Sequence, residues 1–183
     1  MINPHKQKGF TIVELLIVIV VIGVLAAIIV VAYNGIQDRS INAASKSAAN
    51  QVEKLIRSYA TINPTHPYTG RTCAVESGCY FGSAVAVNAT YKTNISSVGS
   101  LPSGVPTWNT TYGGVLFDYV AGRTYEGTVS APGVVVYFLK GTNIDCGQEV
   151  GNTISGTTMT KSVTSNSGYI AGTTFCYVPL QGV

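Results

Sequence analysis

Residues 10–31 read FTIVELLIVIVVIGVLAAIIVV, an apolar run with a single charged side chain, Glu14. From Phe10 to Tyr33 the segment is 24 residues long, about 36 Å as an α-helix at ~1.5 Å per residue. That is enough to cross a hydrocarbon core of about 30 Å. A charge at the centre of such a helix costs roughly 2.5–3.5 kcal/mol on insertion scales. Glu14 lies near one end and costs less, yet Leu or Ile would cost nothing. The preceding MINPHKQKG carries Lys6 and Lys8 and no acid, so this flank is expected to stay cytoplasmic and the C-terminal part to lie outside.

Two ordinary readings of the segment leave Glu14 unexplained. A secretory signal peptide has an apolar region of about 7–15 residues and a small-residue cleavage site; VVAYN, cut after Ala32, matches poorly. A plain single-pass anchor has no use for the carboxylate.

The stretch KGFTIVELLIVIVVIGVLAAI resembles the N-terminal signature of type IV pilins and of the pseudopilins of type II secretion. Lys8, Gly9, Phe10, Thr11, Glu14 and the IGVLAA run fall in register over roughly residues 6–33. The resemblance implies a leader, residues 1–9, removed by a membrane-embedded prepilin peptidase between Gly9 and Phe10, with N-methylation of Phe10. It implies a bacterial cytoplasmic-membrane precursor, an inner-membrane assembly platform, and a mature extracellular filament built of copies of the chain. One departure is Val31, in a slot where many members carry proline, which removes a helix-breaking signal.

On that resemblance Glu14 acquires a role. Cleavage creates an amine at Phe10. In an apolar setting an amine and a carboxylate attract far more strongly than in water. Glu14 of one copy pairing with the Phe10 amine of the next sets the axial offset between helices, as one polar residue sets register in a coiled coil. Desolvation offsets part of the attraction, so the pair is a register device before it is a source of stability.

Beyond Tyr33, apolar or small residues recur at Ile41, Ala44, Ala48, Val52, Leu55 and Tyr59, one face of a helix. Glu53 and Arg57 form a favourable i,i+4 pair, and Asn63-Pro64 marks an end near residue 61. Asn34-Gly35 is expected only to bend one helix over about 11–61. Residues 34–61 are its amphipathic half, residues 10–33 its membrane or filament-core half, and residues 62–183 a globular head.

Within the head, residues 62–112 are rich in turn formers and read as an irregular connection. GVLFDYVAG, RTYEGTVS, APGVVVYFLKG and GYIAGTTFCYVP, residues 114–122, 123–130, 131–141 and 168–179, read as strands. They predict a small antiparallel sheet of about four strands over 113–183, with residues 141–167 as a polar surface loop. The fold class is α+β, a long helix packed on that sheet, as in the type IV pilin fold that the resemblance implies.

The four cysteines lack a C-x-x-C pair, against a zinc ribbon or thioredoxin-type site. An even number after an export-like N-terminus favours two disulfides over free thiols. Of three connectivities, Cys73–Cys79 with Cys146–Cys176 is preferred, the first pair being close in sequence.

Signals for catalysis are sparse, and the chain is not expected to be an enzyme. His5 falls in the leader and His66 sits alone between prolines; no G-x-S-x-G, P-loop or dinucleotide fingerprint is present. Asp145 and Glu149 offer oxygens to a calcium ion without EF-hand spacing, so no metal or cofactor is assigned. Sequons beginning at Asn88, Asn94 and Asn109 are matches that a Thr-rich chain yields by chance. A net charge of +3, with scattered basic residues, indicates no nucleic-acid groove, although some pilins take up DNA. Losing Lys6 and Lys8 with the leader lowers the charge to +1. The reading is a structural pilus subunit (adhesion, motility or DNA uptake). Alternatives are a minor pilin or pseudopilin and, from another class, a monomeric membrane-anchored surface binding protein.

Overall fold

The computed structural model describes residues 9–76, 78–105, 107, 111–127, 129–155, 158–164 and 172–183, with the backbone alone at 31, 32, 148–155 and 158–164. Helix α1 (Ile12–Ile62) is followed by β1 (Thr72–Cys73), β2 (Cys79–Phe81), β3 (Ala84–Val85), α2 (Ala89–Ser96), β4 (Tyr112–Gly113) and β5 (Val115–Tyr119). Then come β6 (Thr124–Tyr125), β7 (Val129–Ser130), β8 (Gly133–Lys140), β9 (Asp145–Ser155), β10 (Thr158–Thr164) and β11 (Thr173–Pro179). The chain divides into two compact units, residues 1–39 and 40–183.

In the first unit α1 is helical throughout, with no break at Asn34-Gly35. Its apolar side chains from Ile12 to Val30 are exposed.

The second unit is built on the sheet β1-β5-β8-β11, antiparallel at every pairing. Phe117 sits opposite Val135, and Phe138 opposite Phe175. Side chains alternate across the sheet, so Leu116, Val136, Phe138 and Phe175 share one face. Val115, Phe117, Val135, Tyr137 and Cys176 share the other. On the first face the rings of Phe81 and Tyr112 meet Phe138, and Tyr112 meets Phe175 edge-on with centroids 4.9 Å apart. On the second, Tyr91 of α2 stacks on Phe117, and the Tyr137 hydroxyl donates to the Cys146 carbonyl at 2.6 Å. Both faces are therefore covered, which is why GVVVYFLK is continuously apolar rather than alternating.

The later turns of α1 contribute Ser45, Ala48, Ala49, Val52, Ile56 and Tyr59 to the buried set. This stripe is rotated slightly from the predicted one: Ile41, Ala44 and Leu55 are only partly buried, while Ser45, Ala49 and Ile56 lie inside. The Asn42 side chain fixes the helix to the sheet. Its Nδ2 donates to the Lys140 carbonyl at 2.9 Å and its Oδ1 accepts from the Lys140 N–H at 2.7 Å, serving the strand end as a neighbouring strand would. Asn63 N–H donates to Tyr59 O, and Pro64, with no N–H to give, ends the helix.

Three expectations are corrected. Residues 62–112 are not an irregular connection: they hold β1 to β4 and α2. Asn88 caps α2, its Oδ1 accepting from the N–H groups of Thr90 and Tyr91, while Tyr91 and Ile95, four residues apart, are buried. The segment read as the loop 141–167 holds two strands among its described residues, β9 and β10, which pair antiparallel. Thr-rich segments satisfy their backbones on each other without an apolar pattern to announce it. RTYEGTVS is not a strand of the main sheet. It folds as the short β6–β7 pair, and β6 runs parallel to β10; the two residues of β1 take the fourth place instead. The GYIAG portion of the last predicted strand lies mostly outside the described residues.

Candidate functional site

Gly9, Phe10 and Thr11 precede the helix and are exposed. The local sequence dictates the start. Thr11 Oγ1 accepts from the Glu14 N–H at 3.2 Å, and Glu14 Oε2 accepts from the Thr11 N–H at 2.9 Å. The Thr11 hydroxyl also donates to Oε2 at 2.8 Å. Thr-x-x-Glu closing on itself in this way is a capping box, which satisfies two of the donors that every helix start leaves unpaired. The Gly9–Phe10 peptide bond therefore lies outside the helix, in exposed chain. Glu14 is the sole charged residue between Ile12 and Gln37.

From Ile12 to Tyr33 the helix is about 33 Å long at ~1.5 Å per residue. It is long and apolar enough to cross a membrane, and its most apolar window is unburied. Gly9, Phe10 and Glu14 are thus gathered on one short segment. Thr11, which ties Glu14 down, was placed in register by the resemblance but given no role; the Thr-x-x-Glu spacing was the signal for it.

The cysteines lie in the second unit. Cys73 is bonded to Cys79, and Cys146 to Cys176. The first bridge links β1 to β2, and the second ties β9 to β11. Asp118 is nearly buried and held by Arg123 at 2.8 Å and Arg71 at 3.1 Å; Arg71 also lies 4.0 Å over the Phe81 ring. No sequence signal marks this cluster, since its members meet only through the fold.

His66 packs against Tyr119 with ring centroids 4.9 Å apart and tilts against Phe117. Among the described residues neither ring nitrogen has a hydrogen-bond partner, and burial holds its pKa below the ordinary imidazole value. Asp145 accepts from the Gly147 N–H at 2.8 Å; the Glu149 side chain lies outside the described residues. Asn94 donates its amide to the Pro67 carbonyl, so two sequon asparagines, this and Asn88, are engaged structurally. The third, Asn109, lies outside the described residues. A cleft of about 380 Å³ runs between α1 at Ala44, Ser47 and Gln51 and the segment from Ser100 to Val105.

No solved structure matches the chain. A family model described as the prokaryotic N-terminal methylation motif matches residues 4–30, the span that holds Gly9, Phe10, the capping box and most of the exposed apolar helix. The chain carries the type IV prepilin-like signal at its N-terminus.

Proposed function

We propose that this chain is a structural subunit of a type IV pilus-like filament. It is made as a cytoplasmic-membrane precursor, cut between Gly9 and Phe10 by prepilin peptidase and methylated on the Phe10 amine. The assembly platform then draws it into a helical surface filament of identical copies. The methylation motif supports a pilin-like or pseudopilin precursor. The observation that carries the finer reading is Glu14, a lone carboxylate on an exposed apolar helix whose length suits a bilayer.

The mechanism is assembly rather than catalysis. A filament needs one heterologous contact repeated without closure. The segment from Phe10 to Tyr33 supplies apolar surface for it, and the Glu14–Phe10 amine pair between copies supplies the offset. Buried beside its partner each charge is tolerable; alone in hydrocarbon each is costly.

Intact-mass analysis of the mature protein tests the processing. The expected mass lacks residues 1–9, gains one methyl group and lacks four hydrogens for two disulfides. A mature start at Tyr33 would point instead to an ordinary signal peptide. Glu14→Ala tests the pairing: the precursor inserts and is cut, but sheared surface fibres fall by roughly tenfold or more, the loss expected when a pair worth ~1.4 kcal/mol is removed. Wild-type fibre yield from that variant contradicts the pairing.

A further inference from the structure

We infer that the segment from Asn63 to Gly70 is an acid-released latch, closed on the main sheet by neutral His66 and opened when that ring takes up a proton. The inference goes beyond the assembly reading and does not depend on it. The segment leaves the end of α1, where the Asn63 N–H donates to the Tyr59 carbonyl at 2.9 Å, and leads to β1. Its middle is held at Pro67 and at His66. The buried Pro67 gives its carbonyl to the Asn94 amide of α2 at 2.8 Å. The His66 ring lies against Phe117 and Tyr119 of β5 and against Gly133, the first residue of β8. A Cβ at Gly133 would come within 2.9 Å of the imidazole Cε1 and 3.0 Å of Nδ1. Gly133 is not among the glycines of positive φ. Its missing side chain is therefore needed for space, as the notch that seats the imidazole.

What the seat lacks is an acceptor. Both ring nitrogens are buried, and among the described residues neither has a hydrogen-bond partner. Neutral imidazole leaves one N–H without an acceptor there; imidazolium leaves two and adds a charge. The charged groups on the surrounding elements are engaged elsewhere. On β5, Asp118 lies between Phe117 and Tyr119 and so projects from the opposite face of the sheet, where Arg71 and Arg123 hold it. On α1, Glu53 is paired with Arg57, which also donates to the Gln181 carbonyl. On α2, Lys92 pairs with Glu76, and Tyr91 stacks on Phe117. From Gly133 to Val136 β8 carries no titratable side chain, and the segment itself carries His66 and Tyr68. A proton on His66 is therefore accommodated by lifting the ring into water. That draws the segment off Gly133 and uncovers the rings of Phe117 and Tyr119. The low pKa that burial imposes on His66 is the same preference seen from the closed side.

The test is limited proteolysis of the full chain in detergent by a broad-specificity protease, at pH ~7.5 and ~5.5, either side of the ordinary imidazole value. Cuts between Asn63 and Gly70 are located by mass spectrometry. Their rate is divided by that of a synthetic peptide of residues 62–72 at the same pH, which removes the protease's own pH dependence. An open-state imidazole of ordinary pKa lets the opening constant rise by up to about tenfold over that interval. The expected result is a wild-type rise of several-fold toward that ceiling, confined to the segment. His66→Leu keeps an apolar side chain in the seat, and its cleavage stays slow at both pH values. Gly133→Ala fills the notch, and its segment is cut fast already at the higher pH. A wild-type rate that does not change with pH overturns the proposal, as does a His66→Leu rate that rises like the wild type's. Wild-type cuts spread over the sheet strands report global unfolding and overturn it too. So does a Gly133→Ala segment as resistant as wild type at the higher pH. If Gly133→Ala is cut throughout because it fails to fold, wild type and His66→Leu decide between them.

Discussion

Asp118, with 8% of its side chain exposed, is clasped between Arg123, with 3% exposed, and the half-exposed Arg71. The two contacts are unequal. Removing one member of a buried pair strands the other charge, at about 3–5 kcal/mol, whereas an exposed pair is worth ~0–1 kcal/mol. Asp118→Ala is therefore expected to destabilise far more than Arg71→Ala, measured by denaturant unfolding of the full chain in detergent; equal losses would show that Arg123 is rehydrated. His66 makes a pH prediction. Its folded pKa lies below the ordinary value of about 6.5, so as pH falls the unfolded chain takes up the proton first. Stability is full above ~6.5 and declines below it, toward the depressed folded value. Between pH ~7.5 and ~5.5 the wild-type Tm should fall further than that of His66→Leu; parallel profiles would show that His66 titrates normally. Neither site was legible in the sequence. Asp118 and Arg71 are separated by 47 positions, and a lone His between prolines reads as loop until Tyr119 is placed beside it.

What was legible at the scale of elements followed the strength of the apolar pattern. The helix, predicted over 11–61, spans Ile12–Ile62, and the apolar runs VLFDY and VVVYFLK are adjacent strands of the main sheet. Elements without an apolar pattern were not seen. β9 and β10 are rich in Thr, Ser and Gly, and β1 is two residues long; their partners are chosen by topology rather than by local preference. The turn into β5 shows a local requirement that sequence carries only as the letter G. Gly114 has φ +77°, and a Cβ there would come within 2.8 Å of the Gly78 carbonyl oxygen, so every other side chain is excluded. The link from α1 to β8 is likewise one side chain. Asn42→Ala removes the two bonds that its amide makes with the Lys140 N–H and carbonyl, and a loss of about 1–2 kcal/mol is expected. Native-state hydrogen exchange checks this: protection at Lys140 should fall well below that of Val136, which stays paired to strands on both sides.

Across the whole molecule, the two units treat apolar surface in opposite ways. The first unit exposes its apolar side chains from Ile12 to Val30; the second closes its own core and adds two covalent ties. Those ties differ in reach. Cys73–Cys79 spans 6 positions and Cys146–Cys176 spans 30, the first joining β1 to β2 and the second β9 to β11, each between two sheets. On chain-entropy reckoning a short loop of this kind is worth ~2 kcal/mol and the longer one ~3.5 kcal/mol. The double variant Cys146→Ser with Cys176→Ser should therefore lose about 1.5 kcal/mol more than Cys73→Ser with Cys79→Ser, compared in denaturant on the full chain. The serine hydroxyls are buried in both variants, so that penalty largely cancels in the comparison. The reverse order would mean that the short loop contributes through packing, with Ala74 and Val75 buried, rather than through the bond. The predicted order would place the more valuable tie where β9 and β10 have little apolar patterning of their own to hold them against the sheet.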